Sequence, residues 1–269
     1  MNSPNQYEGI VSSLANLSME MPDILPSLNL ANQFADFIAP EDLYLLRLVY
    51  MPTDHANLLN YLYQLQQDYL PNGNFTQTQI TQIATGKLTP YPYIDEFFIN
   101  HWHHNGSSHA YAETETELNN YYYSFLLTCG NPFVEKWARF TLELHNFSLL
   151  QYKTHGLPDF SAQLVAKNEV AYLVGKYQAN AEQESLIPLA QVIEIWTHEN
   201  PLVREKMLDT VKWQFLQTEQ FFYYFTIEHI IAHALQRQIA SRWAMLNRQP
   251  AHAQGLSKLV ENAFNPTRL

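Results

Sequence analysis

The chain has 269 residues, 46% of them hydrophobic, and a formal net charge of -11 from 26 acidic and 15 basic side chains. This composition is typical of a folded chain with a substantial core and excludes a disordered one. No block of Lys or Arg supplies the basic surface that phosphate neutralisation requires, so we expect no nucleic-acid partner.

Helical spacing of apolar residues starts near Asn29, and the Asn-Gly turns that join short strands are nearly absent. In the segment NLLNYLYQLQQDY, which starts at Asn57, apolar residues recur at helical steps and predict an amphipathic helix; they are Leu58, Leu62, Leu65 and Tyr69. The first 28 residues contain three prolines and leave room for an early strand or extended segment. Shorter helices are predicted at 29–38, 41–50, 76–84, 92–103, 113–128, 168–177 and 183–197.

Two Asn-Pro pairs predict the starts of longer helices, with Asn as N-cap and Pro at the first helical position. Asn131-Pro132 opens the first, and Asn200-Pro201 opens the second, which runs toward Trp213. A last long helix is predicted at 226–247. The fold class is therefore all-α, with multi-helix lobes of packed helical bundles. We expect one multi-lobed domain over 1–269, with lobes at 1–105, 106–199 and 200–269.

Localisation is predicted from what the sequence lacks. No stretch approaches 18 uninterrupted apolar residues, and the first residues lack a basic start followed by an apolar core. We expect a chain that is neither exported by that route nor inserted in a bilayer. Cys129 is the only cysteine, which excludes an intrachain disulfide and fits a reducing cytoplasm.

Histidine is the residue type that invites a metal hypothesis. The segment HWHHNGSSH holds four imidazoles, and EHIIAHALQ places His229 and His233 at i and i+4. The helix-borne catalytic motif needs a Glu directly after its first His, whereas Glu228 precedes His229 here. No cysteine or well-placed acid completes either group, so we expect no metal site and predict that His229 and His233 face solvent or a neighbouring helix. The four clustered residues are His101, His103, His104 and His109.

Motifs of catalysis are also missing. The sequence has no G-x-S-x-G, no P-loop and no G-x-G-x-x-G. Cys129 is predicted to pack at a helix end, and Glu113 to Glu117 to form the charged first turns of a helix. The aromatic runs YYYSF and QFFYYFTIE are interpreted as core and contacts between lobes. We therefore predict no catalytic residue, no cofactor and no enzymatic activity.

Two segments share one pattern. Asp54 begins DHANLLNYLY and Glu143 begins ELHNFSLLQY, and each acid precedes an Asn by three residues. An Asn on a packed helix costs stability unless its amide is paired, so we expect Asn57 and Asn146 to fix which helices pack together through buried hydrogen bonds. The repetition makes internal duplication of helical units a hypothesis.

These residues carry a resemblance to a known family. The segments PTDHANLLNYL, NPFVEKWARFTLELHNFSLLQYKTHGLP, NPLVREKMLDTVKWQFLQTEQFFYYFTIEHIIAHALQRQIASRWAMLN and LSKLVENAF resemble, in order and spacing, a bacterial family of uncharacterised proteins usually encoded within V-type ATPase operons. That family is similar, more distantly, to the C subunit (d in eukaryotes) of V-type and archaeal-type ATPases. The C subunit is a helical protein of three related lobes, arranged as a funnel, that caps the rotor ring and receives the central shaft.

The resemblance to the C subunit rests on a phrase, D-x-x-N-L-[LK]-x-x-L, that is repeated in that protein. The first copy matches at Asp54, Asn57 and Leu58. The second is similar at Glu143, Asn146 and Phe147, with Glu for Asp and Phe for Leu. A third copy is not evident, since QRQIASRWAML keeps the helix and loses the Asn.

The resemblance implies a non-catalytic subunit or accessory protein of a bacterial V-type rotary ATPase that couples the central shaft to the membrane rotor ring. Its partners would be central-stalk and membrane-ring subunits, and it would lie in the cytoplasm at the inner face of the plasma membrane. Two alternatives remain. One is a metal-dependent enzyme that uses His101, His104, His229 and His233. The other is a free-standing helical protein-interaction module.

Overall fold

The computed structural model describes residues 6–20, 29–155, 160–168 and 184–247. All regular structure among these residues is helical, and no strand occurs in them, which confirms the all-α prediction. The helices are, in chain order, α1 (Glu8–Ser13), α2 (Leu30–Gln33), α3 (Pro40–Leu48), α4 (Met51–Leu62), α5 (Gln77–Ala84), α6 (Pro92–Phe97), α7 (His103–Asn105), α8 (Tyr111–Leu126), α9 (Pro132–Thr154), α10 (Leu189–Ile195), α11 (Pro201–Gln220) and α12 (Ile227–Asn247).

The chain forms two compact units. One spans Ala39–Thr197, and the other combines Met1–Ile38 with His198–Leu269. The lobes expected at 1–105, 106–199 and 200–269 stay a prediction. Most predicted helices are present within a few residues of their expected bounds, α12 among them. The helix predicted at 168–177 lies outside the described residues apart from its first position.

The main departure concerns α4, which ends at Leu62 although apolar spacing continues to Tyr69. Gln64 has φ 53°, a left-handed conformation that turns the chain away from the helix axis. Leu65 and Tyr69 therefore lie in a loop. A second departure is a π-helical turn, Phe98–Trp102, inside the helix predicted at 92–103.

Two other helices are shorter than predicted. The helix expected at 29–38 is reduced to α2, where Asn29 Oδ1 accepts from the backbone N–H of Ala31 and caps the start. The helix expected at 183–197 is α10, which begins only after Pro188. Pro cannot donate a backbone hydrogen bond, so it favours the start of a helix and not its interior.

The core of unit 39–197 is rich in aromatic side chains. Tyr93 and Tyr122 are buried, and the ring of His55 meets both edge-on, at centroid distances of 5.7 and 5.1 Å. The Tyr122 hydroxyl donates to the backbone oxygen of Leu48 at 2.9 Å, which joins α8 to α3. Buried phenol groups are thus paired as they need to be.

In the second unit, α11 packs against α12 across the turn that joins them. This turn exposes three aromatic side chains: Phe221 is 75% exposed, Phe222 70% and Tyr224 64%. The interpretation of QFFYYFTIE as core is therefore wrong for these three. Phe225 has φ 59°, and its backbone oxygen accepts from the N–H of Tyr7 at 3.1 Å, which ties the turn to α1.

None of the described helices combines the length and the apolar composition that crossing a bilayer requires.

Candidate functional site

Asn57, on the buried face of α4, holds the loop that follows this helix. Its side-chain Nδ2 donates to the backbone oxygen of Leu70 at 2.9 Å, and the N–H of Leu70 donates to Asn57 Oδ1 at 2.8 Å. One amide therefore satisfies both backbone groups of a loop residue, much as a neighbouring strand would. Asn57 itself is 4% exposed.

Asp54, one turn earlier on α4, holds the same loop farther along. Its carboxylate accepts from the backbone N–H of Asn74 at 2.9 Å, from the Asn74 Nδ2 at 2.8 Å and from the backbone N–H of Phe75 at 3.2 Å. Burial raises the pKa of Asp54 to about 6, against the opposite effect of these hydrogen bonds. A Cβ atom at Gly73 would clash with Asp54 Oδ1, so any other residue at this position would displace the carboxylate from its place in the hydrogen-bond set. We call Asp54 and Asn57 the first clasp.

Glu143 and Asn146 on α9 form a second clasp of the same kind. Asn146 Nδ2 donates to the backbone oxygen of Val165 at 2.7 Å, and the N–H of Val165 donates to Asn146 Oδ1 at 3.0 Å. Glu143 Oε2 accepts from the N–H of Leu186 at 2.7 Å and from Ser185 Oγ at 3.1 Å. Glu143 is 0% and Asn146 1% exposed.

The two clasps confirm that the Asn side chains make buried hydrogen bonds, and they correct what those bonds join. Asn57 and Asn146 each hold the backbone of a segment that follows their own helix, whereas we expected contacts between two helices. The two clasps also agree in detail. In both, the amide hydrogen-bonds to the N–H and the C=O of one residue, and the acid accepts hydrogen bonds from residues farther along the chain. This shared geometry supports duplication of one helical unit.

Sequence reasoning missed a third buried acid in a comparable place. Asp209 on α11 is 2% exposed and accepts from Arg242 at 2.8 Å, from the Trp243 indole Nε1 at 3.0 Å and from Lys212 Nζ at 2.9 Å. Three residues after it stands Lys212 in place of Asn, and four residues after it stands Trp213, where the clasps have Leu58 and Phe147.

The sequence feature that could have identified this third acid is the spacing D-x-x-K-W, which parallels the acid, Asn and apolar residue of the clasps. The segment QRQIASRWAML, which lacks the Asn of a third copy, contains instead the partners of the acid, Arg242 and Trp243. Because Asp209 holds side chains of α12, it joins two helices, unlike the clasps. An acid satisfied by three donors is a structural anchor, with its lone pairs engaged.

The histidines of HWHHNGSSH do not form one group. His101 is buried, whereas His103 and His104 are exposed, so the pairing of His101 with His104 is not supported. The nearest imidazole contact is between His101 and His109, whose ring centroids lie 5.4 Å apart, and His109 Nδ1 lies 3.2 Å from Glu113 Oε2. Nowhere in the described part of the chain do three or more His, Cys, Asp or Glu side chains come together to hold a metal ion.

The second pair, His229 and His233, lies in the other compact unit. His233 is 6% exposed and its Nε2 lies 2.9 Å from the backbone oxygen of Ala15, so it contacts the segment after α1 and is shielded from solvent. Burial lowers the pKa of His233 to about 4, and lowers that of His229 too. Both rings are therefore neutral at pH 7.

Cys129 lies just after α8, at a helix end as expected, and is partly buried. Burial raises the pKa of its thiol, which keeps it protonated and unreactive as a nucleophile at neutral pH. Glu113 stands in the first turn of α8, as predicted from the run of acidic residues.

Comparison with known proteins places the whole arrangement in one family. A family model, described as a protein of unknown function (DUF2764), matches residues 4–261. The chain belongs to the DUF2764 family. No curated protein and no solved structure matches the chain. The part matched by the DUF2764 model includes both clasps, Asp209 and all the histidines discussed above.

Proposed function

We propose that this DUF2764 protein is a non-catalytic subunit or accessory protein of a bacterial V-type rotary ATPase, which couples the central shaft to the membrane rotor ring. The observation that carries the proposal is the clasp. The acid-x-x-Asn phrase, which resembles one repeated in the C subunit of these ATPases, occurs twice and has the same hydrogen-bond geometry at Asn57 and Asn146.

The physical role of a clasp fits a protein that couples two moving parts. A body that transmits torque needs segments that do not yield under load, and each clasp holds residues of a following segment to its helix at two points. Hydrogen bonds held in a buried site are stronger than those in water and resist exchange with solvent. Closely packed cores add low compressibility.

The hydrogen bonds of the three buried acids also support a role without catalysis. Asp54, Glu143 and Asp209 each accept several hydrogen bonds, so their carboxylates serve as anchors. Such a protein would lie in the cytoplasm at the inner face of the plasma membrane, held there by its partners in the ATPase.

The test is affinity purification of the tagged protein from its host membranes in mild detergent, followed by mass spectrometry of the proteins recovered with it. Shaft and ring subunits of the rotary ATPase in a fixed ratio are the expected result. Recovery of the protein alone, or with unrelated partners, would overturn the proposal.

Surface variants then locate the contact. The exposed turn between α11 and α12 offers apolar area of the kind found in interfaces, so the double variant Phe221→Ser, Phe222→Ser should reduce recovery of the ATPase subunits. Phe37→Ser is the matched control, because Phe37 is 72% exposed but lies elsewhere in the sequence. Both variants should keep the melting temperature of the parent.

A further inference from the structure

We draw no further inference here: the strongest candidate, the exposed aromatic turn of Phe221, Phe222 and Tyr224 between α11 and α12, belongs to the surface already proposed to contact the ATPase, and nothing in the described part of the structure shows what covers it.

Discussion

Asn57 and Leu70 exchange two hydrogen bonds, 2.9 and 2.8 Å long, across thirteen residues of sequence. Asn146 and Val165 repeat the exchange at 2.7 and 3.0 Å. The two sites differ in solvent access, because Leu70 is 43% exposed whereas Val165 is 2% exposed. Water can replace a lost partner at the first site far better than at the second.

Replacing either Asn by Ala should therefore destabilise the fold unequally. We expect a loss of about 1 kcal/mol for Asn57→Ala and about 2 to 3 kcal/mol for Asn146→Ala, because the second leaves buried backbone groups unpaired. Asn100→Ala, at an exposed position, is the control and should change little. Urea unfolding measures all three. Unchanged stability in both clasp variants would show that these amides do not hold the loops.

Gly73→Ala should destabilise the first clasp, because the new Cβ would clash with Asp54 Oδ1. We expect a loss of about 1 to 3 kcal/mol, as for other overpacked sites. Gly9→Ala is the matched control: no atom lies within 4 Å of the Cβ that this substitution adds, and Ala favours the helix α1. Thermal unfolding of the two variants should shift in opposite directions. Equal shifts would contradict the close approach of Gly73 to Asp54.

Asp209 and Glu205 both bind Arg242, at 2.8 and 2.7 Å, but only Asp209 is buried. Asp209→Ala should cost about 1 to 3 kcal/mol, because it leaves the buried indole N–H of Trp243 without its acceptor. Glu205→Ala should cost less than about 1 kcal/mol, as exposed ion pairs do. Urea unfolding compares them. A similar cost for both variants would mean that Asp209 is no anchor.

Acid should weaken the fold through its buried histidines. Burial lowers the pKa of His55 to about 3 and that of His233 to about 4, below the ordinary value of 6.5. Below pH 6.5 the unfolded chain binds protons that the folded chain does not, so the free energy of unfolding falls as the pH decreases toward 4. His55→Leu should flatten this decline when urea unfolding is measured between pH 7.5 and 4.5.

Asp54 acts in the opposite direction over part of this range. Its folded pKa of about 6 lies above the ordinary 3.8, so its contribution to stability is complete below pH 3.8 and is lost as the pH rises through 6. The combined effect of His55 and His233 on the free energy of unfolding exceeds the opposite effect of Asp54. Asp54→Asn should therefore make the loss of stability at acid pH steeper. A parent protein whose stability increases from pH 7 to pH 5 would contradict this balance.

The helical class and most helix starts could be predicted because their signals are local. Asn131 and Asn200 precede Pro and open helices, as the Asn-Pro pattern predicts. The end of α4 could not be predicted, since the apolar residues Leu65 and Tyr69 keep helical spacing while the left-handed turn at Gln64 and the hydrogen bonds from Asn57 take them into a loop. Tertiary contacts here override local periodicity.

The sequence showed the spacing of acid and Asn in each clasp, but it did not show which backbone groups they bind. The spacing of acid and Asn was plain, yet the partners Leu70 and Val165 lie 13 and 19 residues away and carry no motif. Asp209 was missed because Lys212 replaces Asn, and its partner Arg242 lies 33 residues farther on. His101, whose ring contacts that of His109, lies in a π-helical turn that no residue type marks.

The two anchor points of the first clasp also decide where the chain accepts added residues. Leu70 and Asn74 are both fixed to α4, so extra residues between them would have to bulge outward or strain one anchor. Before Leu70, residues 66–68 are exposed, and lengthening this stretch costs only about 0.6 kcal/mol for each doubling of the loop. An epitope or fluorophore-binding peptide therefore belongs at 66–68, where it would report on the protein without disturbing its fold.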